Sequence, residues 1–339
     1  MKKKVKIFAF ENNFGYLEKI QEILLIQQVD CELRLLPNFW IDSCTTQTIQ
    51  TIAKKIDRDS AQNFIIFAPN TTELFCLENV DFTITFSAYK TWYNSDNMEV
   101  IPHLWTPNKP PEKDTSYLWQ SKPSLSVGFM GKSYNNSRAV RSLTLLPMAI
   151  KQWLLKGHYL RNQWLIKKNN DLGSLLTYAN AFSRFESLKV LEKISEYSYS
   201  NDFVVDIIAT DGRQLNSKSK ENYINHLKRN TYVLCPRGSE NYSFRFYEAL
   251  NYGRVPILID TDMVLPPGIN WEEIAIIIDY DNISNLRAII ARDYQNCTED
   301  DFIIRQQKAI QTMKKLQEMN WIDDICNKIL SKINNDAQL

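Results

Sequence analysis

The residues best equipped for chemistry crowd into the short stretch from Arg237 to Glu248: Arg237, Gly238, Tyr242, Ser243, Arg245 and Glu248. Guanidinium groups present forked donors that match the oxygens of a phosphate or diphosphate. A carboxylate such as Glu248 accepts from neighbouring hydroxyls, as on a ribose, and Ser243 and the glycine offer small or backbone donors. The ligand that fits a diphosphate clamp beside a hydroxyl acceptor is a nucleotide.

Such groups need elements to hold them, and the flanking sequence supplies them. Tyr232 to Cys235 is a short apolar run suited to a buried strand, ended by Pro236 and Gly238. Phe244, Tyr247 and Leu250 recur at helical spacing from Ser243 to Asn251, Gly253 closes that helix, and Val255 to Ile259 makes a second buried strand. Strand, loop, helix and strand form one βαβ unit. In parallel α/β sheets ligands lie beyond the carboxyl ends of strands, where a helix amino terminus turns N–H groups toward phosphate. The polar residues fall in that place, with Arg245 and Glu248 three positions apart on one helix face.

These residues also carry a resemblance. The run C-P-R-G at Cys235, then S-x-R-x-x-E-A from Ser243, then G-x-x-P-x-x-I-x-D from Gly253, with Leu265, Pro266 and Pro267 before Asn270 and Trp271, resembles the signature of the exostosin-like glycosyltransferases. Pro267 stands where the family commonly has phenylalanine, and the likeness is faint outside this stretch. The resemblance implies an α/β protein of the GT-B type: two Rossmann-like doubly wound domains, a cleft between them, and closing carboxyl-terminal helices that cross back. It implies an inverting sugar transferase using a nucleotide sugar, mostly a UDP-sugar, to extend a glycan. Arg138 follows Gly131 as in the family's glycine-then-arginine pattern, which points to diphosphate binding for Arg138.

Composition sets the frame. A chain of 339 residues with 44% hydrophobic content is long enough for two domains with sizeable cores. Its net charge of +1 leaves no footprint for nucleic acid. Cys31, Cys44, Cys76, Cys235, Cys297 and Cys326 form no C-x-x-C pair, which argues against a zinc site or a disulfide framework and for a reducing compartment. Val5 to Phe10 is too short for a membrane span or a secretory core, so the reading is cytoplasmic, and frequent Lys, Asn and Ile suggest an AT-rich bacterial source. Lys2, Lys3, Lys4 and Lys6 are a modest basic patch suited to peripheral contact with the inner face of a membrane.

Along the chain, Val5 to Phe10, Leu33 to Leu36, Phe64 to Ala68, Phe82 to Phe86 and Glu99 to His103 read as strands. Leu17, Ile20, Ile23 and Leu24 mark one helix and Thr46 to Ile56 another. The proline-rich stretch from Thr106 to Pro123 is the best boundary. Residues 1–115 are expected to form an acceptor domain, 124–300 a nucleotide-sugar domain that binds donor by itself, and 301–339 the closing helices. Leu125 to Met130 restarts the strands. Ser137 is expected to cap a helix running to about Leu155, with Arg138 and Arg141 in its first turns.

Sugar transfer with inversion needs a base for the acceptor hydroxyl and positive charge for the leaving diphosphate. Arg245, with Arg237 and Arg138, can supply the charge without a metal, so no cofactor is expected. Glu11, directly after the first strand, is the expected base, with Asp42, Asp96 and His103 as rivals. Asp260-Thr261-Asp262 has the D-x-D form that holds a divalent metal in another glycosyltransferase fold, yet three residues are a weak pattern. Trp92, Tyr93 and Trp105 are candidate sugar platforms, although most buried tryptophans are core. Two rival classes share the residues: a catalytically silent carbohydrate-binding subunit, and another nucleotide-sugar enzyme such as an epimerase, for which a glycine-rich cofactor loop is wanting.

Overall fold

A computed structural model of the chain describes residues 4–10, 15–36, 62–68, 81–91, 93–104, 114–133, 137–155, 172–196, 203–210, 217–238 and 241–335. The expected helix from Thr46 to Ile56 and the residues Glu11, Asp42, Trp92 and Trp105 lie outside the described residues.

The first half places β1 (Lys4–Phe10), β2 (Asp30–Leu36), β3 (Gln62–Ala68), β4 (Phe82–Thr85) and β5 (Met98–Val100) in one sheet, with α1 (Tyr16–Ile26) following β1. The sheet order is β2-β1-β3-β4-β5 and every pairing is parallel. A parallel strand flanked on both sides is buried on both faces. For that reason Lys6 is only 3% exposed, although an alternating pattern would turn it to solvent. The expectation that Lys6 belongs to a surface basic patch is therefore corrected.

The second half contains β6 (Ser126–Gly131), β7 (Val204–Ala209), β8 (Tyr232–Cys235), β9 (Val255–Asp260) and β10 (Ile276–Asp279). Their order is β10-β9-β8-β6-β7, again parallel throughout. Counted from each sheet's first strand, both halves follow the order 2-1-3-4-5 of doubly wound folds. The helices are α2 (Arg138–Thr144), α3 (Met148–Leu155), α4 (Leu172–Glu196), α5 (Ser217–Arg229), α6 (Phe244–Asn251), α7 (Leu286–Asn296), α8 (Glu299–Gln317) and α9 (Trp321–Asn335).

Two helix ends show the sequence acting locally. Ser137 does cap a helix, accepting from Val140 N, but that helix stops at Thr144 and α3 begins only after Pro147. Proline lacks the N–H and crowds the preceding turn, so the single long helix expected there is two short ones. Helix α6 is followed, after its cap Tyr252, by Gly253, whose φ of 59° is left-handed. A Cβ there would lie 2.5 Å from Gln306 Cγ, so the glycine also lets α8 approach.

The cores explain how the halves meet. One face of the second sheet packs Val127, Ile257 and Ile259 against Phe182, Leu188 and Leu286; the other packs Val233, Leu258 and Phe246 against Ala309 and Met313 of α8. Ile322, Ile325 and Ile329 of α9 join Val5, Ile7 and Ile20 in the core of the first half. The stretch before β6 is fastened to the second half: Arg254, buried, donates to Tyr117 O and lies 4.6 Å over the Trp119 ring, while Trp119 N donates to Gln306 Oε1 at 2.8 Å. Burial lowers the Arg254 pKa to about 10.

Candidate active site

In the second sheet the strand order reverses between β6 and β8: the chain leaves β6 for β7 on one side, then returns to β8 on the other. Such a switch point opens a crevice beyond the carboxyl ends of its two strands, where open α/β sheets bind ligands. Arg245, in the first turn of α6, reaches across it. Its Nη2 donates to Met130 O at the end of β6 at 2.8 Å, and its Cζ stands 4.5 Å over the Phe129 ring. Its buried Nε has no hydrogen-bond partner among the described residues.

One turn further along α6, Glu248 is buried and accepts from Tyr223 Oη of α5 at 2.6 Å. Burial, followed by the Glu248 charge, pushes the Tyr223 pKa well up, so the phenol stays a donor. The Cys235 thiol at the end of β8 is also raised, chiefly by burial, and is held in its neutral form. Ser243 occupies the position before α6 without capping it through its side chain. A guanidinium, a carboxylate held by a phenol and a helix amino terminus thus stand close together at the carboxyl ends of β6 and β8.

The opposite side of the same loop is turned to the first half. Arg237 is 1% exposed, donating through Nη2 to Tyr89 Oη at 2.9 Å and through Nη1 to Thr261 Oγ1 and Leu155 O, each at 3.4 Å. The structure places it as an interdomain strut, away from the crevice in which its diphosphate role was expected. Tyr242 is likewise buried in the first half's core, its ring stacked on His103 with centroids 5.2 Å apart. Gly238 N donates to Tyr242 O at 2.9 Å, and Arg184 Nη2 donates to Arg237 O at 2.8 Å, so the loop is tied from both sides.

First-half residues 87–91 complete the clasp. Asn241 Nδ2 donates to Ala88 O and Asp262 O, each at 3.1 Å, and Asn241 N donates to Ser87 Oγ at 3.2 Å. Lys90 pairs with Asp260 at 2.5 Å, Thr91 Oγ1 donates to Asp262 Oδ2 at 2.7 Å, and Tyr89 bridges Met263. Residues of the first half thus buttress this loop. Asp260 and Asp262 both spend carboxylate oxygens on this contact. Among the described residues no group of three or more His, Cys, Asp or Glu is placed to hold a metal ion.

The remaining candidates separate. Arg138 stands in solvent at the start of α2, its carbonyl accepting from Ser142. His103 is packed among Phe86, Tyr242 and Phe244, while Asp96 is exposed on a turn. Tyr93 lines a pocket of about 270 Å³ with Lys90, Leu258, Asp260, Met263 and Ile277, which shares no residue with the Arg245 crevice. No helix among the described residues is long and apolar enough to cross a membrane. Tyr223 was absent from the sequence candidates, and Gly131 entered only through the glycine-then-arginine pattern; the packing of α5 and β6 beneath α6 brings them to Glu248 and Arg245.

Two parallel doubly wound sheets, facing across a clasped cleft and joined by a last helix that returns to the first, define the GT-B fold. Within it, residues 186–292, which carry β8, α6 and β9, match the Exostosin GT47 domain. Over 99 residues it is 31% identical to a probable glucuronosyltransferase of Oryza sativa subsp. japonica, covering 29% of this chain and 22% of the relative. It is 29% identical over 99 residues to a probable beta-1,4-xylosyltransferase of Arabidopsis thaliana, covering 29% and 23%. The match thus spans less than a quarter of either relative's length. Among solved structures, a glycosyltransferase from Rickettsia africae is similar at 12% identity and a TM-score of 0.40, covering 98% of each chain. A lipopolysaccharide outer core galactosyltransferase is similar at 12% identity and a TM-score of 0.39, covering 97% of this chain and 99% of its own.

Proposed function

We propose that this protein is an inverting glycosyltransferase that moves a sugar from a nucleotide donor, UDP-linked, to a growing surface glycan. The observation that carries the reading is Arg245 laid across the β6–β8 switch point with Glu248 one turn behind it. In the transfer, the acceptor oxygen bonds to the anomeric carbon as the bond from that carbon to the diphosphate breaks. Arg245 neutralises charge developing on the leaving group, and Glu248 accepts from ribose hydroxyls. Arg138, exposed at the start of α2, is proposed to join Arg245 on the diphosphate. A guanidinium can carry out this stabilisation in place of a metal ion.

Glu11, which directly follows central strand β1, is proposed to take the acceptor's proton. The relatives' names make UDP-glucuronate and UDP-xylose the first donors to try, and lipid-carried glycan at the inner face of a bacterial membrane the first acceptor. Release of UDP from a panel of UDP-sugars by the purified full chain tests the reading. Glu11→Gln is expected to lower kcat by about 10²- to 10⁴-fold with UDP affinity unchanged. UDP binding without turnover of any donor would favour a silent carbohydrate-binding subunit, and absence of UDP binding would overturn the site.

A further inference from the structure

Both ligand-facing groups of α6 depend on residues outside it. Gly131 ends β6 beside the carbonyl that Arg245 grips, and a Cβ at that position would lie 2.6 Å from Arg245 Nη2 and 3.3 Å from Phe129 Cζ. Real Cβ atoms do not approach so closely, and the guanidinium is wedged between that backbone and the Phe129 ring at 4.5 Å. A side chain at 131 therefore requires the guanidinium, the tip of a flexible side chain, to shift from its place beside the strand end. On the other side, Tyr223 Oη donates to Glu248 Oε2 at 2.6 Å, fixing the carboxylate's rotation. That bond engages Oε2 of the buried carboxylate.

We infer that Gly131 and Tyr223 are positioning residues for the donor: Gly131 by vacating the space Arg245 occupies, Tyr223 by orienting Glu248. The inference rests on the donor-site reading above. It assigns a reason for a glycine at the end of β6 that is independent of backbone conformation, because the conflict is with a side chain from another element. It also gives α5, which carries Tyr223, a part in donor recognition. Preorganised groups of this kind contribute by arriving already aligned, and a small displacement of a charged donor is costly.

The test uses the full chain, UDP as probe, and calorimetry beside thermal melting. Gly131→Ala is expected to weaken UDP binding about tenfold, in line with loss of one charge-assisted bond, and Tyr223→Phe about two- to tenfold. Each is then combined with the residue it positions. Gly131→Ala is expected to have no further effect in an Arg245→Ala background, and Tyr223→Phe none in Glu248→Ala, because interacting sites are not additive. A residue that merely supports the fold would instead weaken UDP by the same factor in both backgrounds, and that additivity overturns the inference. Unchanged UDP affinity in Arg245→Ala and Glu248→Ala themselves would overturn the donor-site reading first. If Gly131→Ala melts before it can be measured, the Tyr223 and Glu248 cycle decides alone.

Discussion

Arg237 and Arg245 belong to one loop and the helix it feeds, yet the fold gives them opposite tasks. Arg237 is enclosed by Leu155 O, Thr261 and Tyr89, partners from both halves of the molecule. Arg245 crosses the switch point, grips one backbone carbonyl and lies on one ring. Residue type does not separate the two. Position relative to the sheet does: the loop's beginning and end face the first half, while the first turn of α6 faces the crevice between β6 and β8. One arginine holds the site together, and the other is available to act in it.

That contrast is broken or sharpened by removing each in turn. Arg245→Ala is expected to produce the largest loss of activity, about 10²- to 10³-fold in kcat, the usual result of deleting one preorganised donor to a developing anion. Its melting temperature should fall little, since it surrenders one part-buried hydrogen bond and the contact with the Phe129 ring. A kcat within threefold of wild type, measured with saturating donor, would place the anion clamp elsewhere. Arg237→Ala is expected to reverse the pattern. Loss of buried bonds to a charged group costs about 2–4 kcal/mol of stability, read as a fall in the denaturant midpoint, with UDP affinity of the folded fraction little changed. Should it abolish UDP binding without destabilising the chain, the strut and the clamp have been confused.

How much of this was legible before the fold was known follows from what each feature depends on. The strand, loop, helix and strand around Arg245 were visible because buried parallel strands and a glycine-closed helix leave local marks, and the three-residue spacing put Arg245 and Glu248 on one face. The direction in which Arg237 points depends on residues 87–91, distant in sequence and brought up by the first sheet, and no local pattern records that. Tyr223 was silent for the same reason: an amphipathic helix shows that a face is buried, but not which carboxylate lies beneath it; Gly131 stood out in the glycine-then-arginine pattern, but not as the neighbour of Arg245. Tyr242 looked like a ligand-side aromatic and turned out to be core, since the interface buries it beside His103. The break at Pro147 is local: proline's missing N–H separates α2 from α3, although the cap at Ser137 alone points to one helix running to about Leu155.

The smallest expected effect lies in the Asp260 to Asp262 turn, where sequence pattern and structure diverge most. Asp262 sits at φ 70°, a left-handed conformation that asparagine also tolerates, and it accepts from Thr91 Oγ1 at 2.7 Å in an exposed position. Asparagine keeps a side-chain oxygen for that bond, so Asp262→Asn removes charge and little else. An exposed substitution of this kind typically shifts stability by less than about 0.5 kcal/mol. On the clasp reading, transfer by this variant stays within about twofold of wild type, and EDTA leaves both proteins active because Arg245 carries the leaving-group charge. The alternative gives a different result on the same assay: if chelation stops the parent, manganese restores it, and Asp262→Asn stays inactive with manganese present, the turn is a metal ligand. The loop would then have chemistry on both of its faces, and the division between Arg237 and Arg245 would no longer describe it.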